Sequence, residues 1–175
     1  MTQKTDAQLL QAPNAFEYIF TRYEKLIYHI CRRYFSNNED AMDAGQEAAL
    51  RLYRALDKVT PKEDGSIKSW VCAVTANACL DIVRKRRVET EELTDQTASS
   101  IYSTTASAEE DAAARERVRE VSAAIARLPN DQRIILILRD LQQLSYDELA
   151  ETLQISIGTV KSRISRARTA LKKML

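Results

Sequence analysis

The 175-residue chain contains only three Gly, three Pro, three Cys, one His and one Trp. So few helix breakers leave room for long helices, and with Ala, Leu, Arg and Glu abundant the expectation is an all-α fold. Cys31, Cys72 and Cys79 are odd in number and form no CxxC pair, so they are expected as reduced, buried or half-buried residues rather than a disulfide framework. A single histidine, His29, supplies too few ligands for the usual zinc sites. There is no Gly-rich phosphate loop and no nucleophile motif, so no cofactor and no catalytic chemistry are indicated. The longest aliphatic run, Ile134 to Leu138, is far too short to span a bilayer, and the polar stretch Met1 to Gln11 has no signal-peptide pattern. These absences predict a cytoplasmic protein without direct membrane insertion.

Charge is nearly balanced overall, at +1, but it is segregated. Residues 1–87 carry 14 basic and 11 acidic side chains, residues 88–114 carry 7 acidic and no basic ones, and residues 115–175 carry 12 basic and 7 acidic ones. Two basic blocks separated by an acidic strip suggest two polyanion-binding units. The strip itself, rich in Thr, Ser, Ala and Glu and without an apolar stripe, reads as a flexible linker.

The most informative stretch is LSYDELAETLQISIGTVKSRISRARTAL, from Leu144 to Leu171. Ser145 followed by Glu148 has capping-box spacing, and Leu144 with Leu149 can form a hydrophobic staple around it. The pattern recurs at Ser156, with Thr159 three residues on and Ile155 and Val160 as the staple. Two helix starts so close together give a helix-turn-helix. On the second helix Val160, Ile164, Ala167 and Leu171 recur at helical spacing and should pack inward. The other side presents Ser156, Gly158, Thr159, Ser162, Ser165, Arg166 and Thr169, flanked by Lys161 and Arg163. From Lys161 onward all charges are basic. Small polar residues between cations suit a helix lying in a DNA groove, since the cations reach phosphates or guanine edges and the serines permit close approach. A solvated basic face at a chain end is the plainer alternative.

Upstream, Phe16, Phe20, Tyr23, Ile27, Ile30 and Tyr34 form one helical stripe that should end at Ser36-Asn37-Asn38. Residues 1–13 are expected as a loose or weakly helical lead-in. A second helix over about 39–57 turns Ala41, Ala48, Leu52 and Leu56 inward and leaves Asp40, Asp43, Gln46, Glu47, Arg51 and Arg54 on a polar face. Thr60 to Ser69 reads as a loop. A third helix, Trp70 to about Arg86, has Val71, Val74, Ala78 and Ile82 as its inner face and Trp70, Asn77, Asp81 and Arg84 on another. It ends in Arg84-Lys85-Arg86-Arg87. Aromatic-plus-basic surfaces suit single-stranded DNA, although Trp70 fits a core position equally well. A helix over 116–128 is expected to bury Val118, Val121, Ile125 and Leu128, and a further one runs over 133–141.

LPNDQR (Leu128 to Arg133), LSYDELAETLQIS and GTVKSRISRAR, in that order, resemble the C-terminal DNA-reading domain of bacterial extracytoplasmic-function (ECF) sigma factors. AMDAGQEAALRLYRAL (Ala41 to Leu56) and SWVCAVTANACLDIVRKRR (Ser69 to Arg87) resemble that family's polymerase-binding and promoter-melting helices. Asp43, Gln46 and Glu47 match the first pattern, with Ala44 and Gly45 smaller than usual. Trp70, Asn77, Asp81, Arg84, Arg86 and Arg87 match the second. The resemblance implies a region 2-like domain over 14–87, a linker over 88–114 and a region 4-like domain over 115–175. It implies that Asp40, Asp43, Gln46, Glu47 and Arg51 bind core RNA polymerase, whose clamp and flap regions are the partner surfaces. It further implies that the helix from Ser156 reads duplex minus-thirty-five DNA. Lys62, Ser66 and Lys68 of the loop, with Trp70, Asn77, Arg84, Lys85, Arg86 and Arg87, would take the melted minus-ten strand. Many family members also bind an anti-sigma factor. The rival reading is a helix-turn-helix regulator without a sigma role; residues 14–87 resemble neither a ligand domain nor a receiver domain.

Overall fold

The structure is a computed structural model and describes residues 4–91 and 112–175, with side chains over 4–87 and 116–175. The described residues form eight α-helices and no strand. The first, α1 (Asp6–Leu10), is a short helix within the stretch expected as a loose or weakly helical lead-in, and it starts from a capping box. The Thr5 hydroxyl accepts from the Gln8 amide, and the Gln8 side chain accepts from the Thr5 amide. Its Leu9 is buried.

Helices α2 (Ala15–Tyr34), α3 (Asn38–Ala55) and α4 (Lys68–Glu91) pack against one another as the N-terminal unit. Ile19, Tyr23, Ile27, Ile30, Cys31 and Tyr34 are the buried positions of α2. The observed stripe is thus rotated from the expected one near its start, where Ile19 is buried and Phe16 and Phe20 lie at the core's edge. Asn37 caps α3, its side chain accepting from the Asp40 amide. A 3₁₀ turn over Leu56–Lys58 then delivers the chain to the loop before α4. Ala44 and Ala48 are fully buried on α3, so small residues let α2, α3 and α4 approach closely. All three cysteines are buried and free, and the sulfurs of Cys31 and Cys79 lie 3.9 Å apart.

The C-terminal unit holds α5 (Ala112–Ala126), α6 (Asn130–Leu136), α7 (Tyr146–Leu153) and α8 (Ile157–Met174), with one π-helical turn over Ile137–Leu141 after α6. Over the stretch expected as a linker, helical backbone continues from α4 to Glu91 and resumes at Ala112, and residues 92–111 lie outside the described residues. One expectation needs correction. Val118 and Val121 are 45% and 38% exposed rather than inward. In their place α5 buries Ser122 and Ala124, because its neighbours α2 and α8 meet the small-residue side of the helix, while Leu128 just beyond it is buried as expected.

The two units are packed together. Arg33 donates to the Ser122 hydroxyl at 2.7 Å, and Arg133 donates to the Tyr34 carbonyl at 2.9 Å while its guanidinium lies over the Tyr34 ring. Helix α4 also meets α7 directly. No helix among the described residues is long and apolar enough to cross a membrane.

Candidate nucleic-acid interface

Two surfaces gather the residues with nucleic-acid chemistry. The first is α8 with the turn before it. Ser145 caps α7 through a reciprocal pair with Glu148: the Glu148 amide donates to its hydroxyl at 3.1 Å, and its own amide donates to the Glu148 carboxylate at 2.8 Å. Gln154 then adopts the left-handed region, φ 54°, and ends α7 sharply. Ser156 starts α8, accepting from the Thr159 amide at 3.1 Å. Val160, Ile164 and Ala167 are buried, so the opposite face is committed to solvent.

On that face Ser156, Gly158, Lys161, Ser165 and Arg166 are exposed, while Thr159, Ser162 and Arg163 are half-buried. Arg163 turns back to Asp131 at 3.4 Å, and the Ser162 hydroxyl is spent on the Thr159 carbonyl at 3.0 Å. Lys161 and Arg166 are therefore the cations that project from the middle of the helix. A Cβ on Gly158 would meet only the Ser156 hydroxyl, at an ordinary 3.7 Å. Among the described residues nothing crowds that position, so Gly158 leaves the helix surface open there.

The second surface is the loop between Val59 and Ile67 with the start of α4. The loop closes on itself through the Lys62 amide to the Ser66 carbonyl, 3.0 Å, and the Gly65 amide to the Lys62 carbonyl, 2.8 Å. Gly65 takes φ +75°, a conformation that other residues adopt at a cost. Asp64 accepts from the Ser66 amide at 2.9 Å, and the Ser66 hydroxyl accepts from the Lys68 amide at 3.2 Å. Between this loop and Trp70 lies a cleft of about 300 Å³, lined by Lys62, Ser66, Ser69 and Trp70, and by Glu151 and Thr152 of α7. Trp70 is half-buried, with a ring both packed on the core and bordering the cleft.

This cleft is covered. Lys62 pairs with Glu148 at 2.8 Å, and Lys68 donates to the Gln142 carbonyl at 2.8 Å. The hydrogen bond from Lys62, together with the Ser145 amide, holds the Glu148 carboxyl below its ordinary range, even though partial burial opposes this. Lys62 of the loop and Lys68 at the start of α4 are thus engaged by α7 and the turn before it, in the same unit whose α8 face is open.

Further along α4, Asn77, Arg84, Lys85, Arg86 and Arg87 are exposed. Asp81 binds Arg51 at 2.8 Å and Arg84 at 3.3 Å, and Glu47 binds Arg51 at 2.6 Å, so an ion network ties α3 to α4. Asp43 and Gln46 stand exposed beside it, whereas Asp40 is buried and held by Arg86 and Asn37. Asp40 therefore differs from its neighbours: it joins two helices rather than facing outward. Asp6, buried against the loop, lies outside every expected site; Asp in a polar lead-in carries no sequence signal of burial.

The Sigma-70 region 2 family matches residues 19–89, and the Sigma-70 region 4 family matches residues 119–171. The RNA polymerase sigma-H factor of Pseudomonas aeruginosa is 30% identical, over 100% of this chain and 96% of its own length. The ECF RNA polymerase sigma factor SigM of Mycobacterium tuberculosis is 31% identical over 99% of this chain and 86% of its own, and the ECF RNA polymerase sigma factor SigW of Bacillus subtilis is 32% identical over 93% and 89%. The chain belongs to the ECF sigma factor family. Among solved structures the fold is shared with the sigma factor RpoE in complex with the anti-sigma factor NepR from Bartonella quintana. There the TM-score is 0.71 and the identity 22%, over 91% of this chain and 95% of that one. CnrH in complex with the cytosolic domain of CnrY gives a TM-score of 0.65 at 22% identity, over 97% and 93%. An ECF sigma factor is a DNA-binding transcription initiation factor, and both surfaces fall within the matched regions.

Proposed function

We propose that this ECF sigma factor binds core RNA polymerase, reads duplex minus-thirty-five DNA with α8, and captures the melted non-template strand of the minus-ten element with the loop and α4. The observation that carries this reading is the pairing of an open, cation-bearing α8 face with an aromatic-plus-basic cleft on a separate unit of one chain. Residues 14–87 are the polymerase- and strand-binding domain, 88–114 the connection, and 115–175 the duplex-reading domain. Lys161 and Arg166 reach phosphates or base edges, and Gly158 and Ser165 allow the helix to sit deep in the groove. Trp70 offers a stacking face while Lys62, Lys68 and the Arg84–Arg87 cluster hold phosphates. Binding of unstacked bases offsets the few kcal/mol that unstacking costs, so melting needs no hydrolysis and no catalytic residue.

Asp43, Gln46 and Glu47 face the polymerase clamp, with Arg51 holding Glu47 in place, while the C-terminal domain meets the flap. Strand capture also requires α7 to leave the cleft, so the closed arrangement is the free form and the polymerase-bound form is open. The solved neighbours carry anti-sigma factors, which supports a partner of that kind here. In vitro transcription with bacterial core enzyme on a promoter library tests the reading. Initiation from a discrete promoter set that depends on the added chain supports it. Protection of an operator without polymerase, and no directed initiation, would favour the plain regulator instead.

A further inference from the structure

The loop that borders the cleft is held from behind by residues that precede the region 2 match at 19–89. Asp6 is only 4% exposed, and its carboxylate collects three donors. Arg22 donates to one oxygen at 2.6 Å; the Ile67 amide donates to the other at 2.9 Å, as does the Tyr23 hydroxyl. One residue on, the Ala7 amide donates to the Gly65 carbonyl at 3.1 Å. Arg22 in turn reaches the Lys4 carbonyl at 2.6 Å. Gly65 itself lies against Thr5: a Cβ there would come within 3.3 Å of the Thr5 Cβ.

These contacts converge on residues 65–67, where the loop ends and α4 begins. The Ile67 carbonyl accepts the first turn of α4 from the Val71 amide, 3.0 Å, so pinning the Ile67 amide sets both the loop's exit and the helix's start. Inside the loop only two backbone bonds and the Asp64 and Ser66 side-chain bonds resist rearrangement. A loop that discriminates between bases must be pre-organised by its support. A buried carboxylate is a demanding support, since losing any one of its donors leaves a polar group unpartnered in the interior.

We infer that Asp6 is a positioning residue for strand recognition: it ties residues 65–67 to α2 and so sets the shape that Lys62 and Ser66 present to the flipped strand. This rests on the reading above, in which the loop takes the minus-ten strand. Burial, and then the adjacent Asp6 carboxylate, raise the Tyr23 hydroxyl above its ordinary value, so Tyr23 stays a donor to Asp6 at every physiological pH. In Asp6→Asn the amide NH₂ meets a donor whichever way it turns, either Arg22 or the Ile67 amide.

The test uses the full chain with bacterial core polymerase on two template libraries, one randomised through the minus-ten element and one through the minus-thirty-five element, with transcripts counted by sequencing. Lys62→Ala and Ser66→Ala establish which base positions the loop reads. Asp6→Asn is expected to lower discrimination at those same positions about ten-fold, the equivalent of one charged hydrogen bond. Preference at the minus-thirty-five element, set by α8, stays as in the parent, which a general loss of folding would not produce. Tyr23→Phe, which removes one donor to Asp6 and also the Tyr23 contact with the Ser66 side chain, gives a smaller loss in the same direction; if Asp6→Asn does not fold, Tyr23→Phe is compared within the Ser66→Ala background, where only the Asp6 contact is left to lose. Should the loop variants shift preference while Tyr23→Phe and a folded Asp6→Asn keep the parental profile, the role of Asp6 is overturned. Should Lys62→Ala and Ser66→Ala also leave preference unchanged, the loop is not the reader, and the inference falls with that reading.

Discussion

The face of α8 and the loop before α4 both present cations and small polar groups at a surface, and they are built by opposite means. The α8 face is built by its own neighbours: caps three residues away, a buried row at helical spacing, and a left-handed turn at Gln154 that aims the helix. The loop is built from elsewhere. Asp6 lies 61 residues before the Ile67 amide it holds, and Glu148 lies 86 residues beyond the Lys62 it covers. A helical reading surface is therefore robust to changes in the rest of the chain, whereas the loop's shape and accessibility belong to the whole fold. That difference suits their tasks on the proposed reading. Duplex DNA offers a regular groove to a regular element, while a flipped base needs a specific pocket that opens only in the right company.

The sharpest way to break this comparison is to remove the packing under α8. Ile164→Ala should cost roughly 2–5 kcal/mol of stability, since the side chain is almost fully buried. Chemical denaturation measures it, and a loss well under 1 kcal/mol would mean that the α8 face does not depend on its buried row. Next comes Arg166→Ala, which should remove about 1–3 kcal/mol of discrimination at the upstream element if the side chain makes a bidentate base contact. Competition binding with single-base promoter variants reads this out, and the minus-ten profile should not move.

On α3, a Cβ added at Gly45 would have nothing within 4 Å, so Gly45→Ala should raise stability by roughly 0.5–1 kcal/mol, seen as a higher Tm. If polymerase affinity falls in the same variant, the gap at Gly45 is being used by the partner. The smallest effect is expected at the cover. Glu148→Gln removes the charge of a partly exposed ion pair worth under about 1 kcal/mol, and should modestly strengthen binding of a single-stranded minus-ten oligonucleotide. The pH dependence has a definite sign. Because Lys62 lowers the Glu148 carboxyl, the contact contributes above the ordinary carboxylate range and is lost as pH falls through the lowered value. Energy transfer between dyes on the two units should therefore drop on acidification in the parent and show a weaker pH response in Glu148→Gln.

Legibility in the sequence followed the range of the interactions. Both caps of the helix-turn-helix, the inward set Val160, Ile164 and Ala167, and the long stripe from Tyr23 to Tyr34 could be read directly, because each depends on residues within a turn or two. Helix α5 could not: Val118 and Val121 look like core, yet the partner surfaces of α2 and α8 select Ser122 and Ala124. Nor could the burial of Asp6 and Asp40, whose partners Tyr23, Ile67 and Arg86 come from other elements. The candidate residues Lys62 and Lys68 were visible as loop cations, but not the groups around α7 that hold them.

By itself the sequence determined the all-helical character, the helix-turn-helix and the open basic face of α8, because helix formation, capping and amphipathic periodicity are short-range and act within a few residues. The tertiary structure alone decided that α1 braces the loop, that α7 covers the cleft, and that Asp40 binds inward while Asp43 does not. Those outcomes turn on which distant donors meet a carboxylate or a lysine once the helices have packed. No local spacing encodes that meeting.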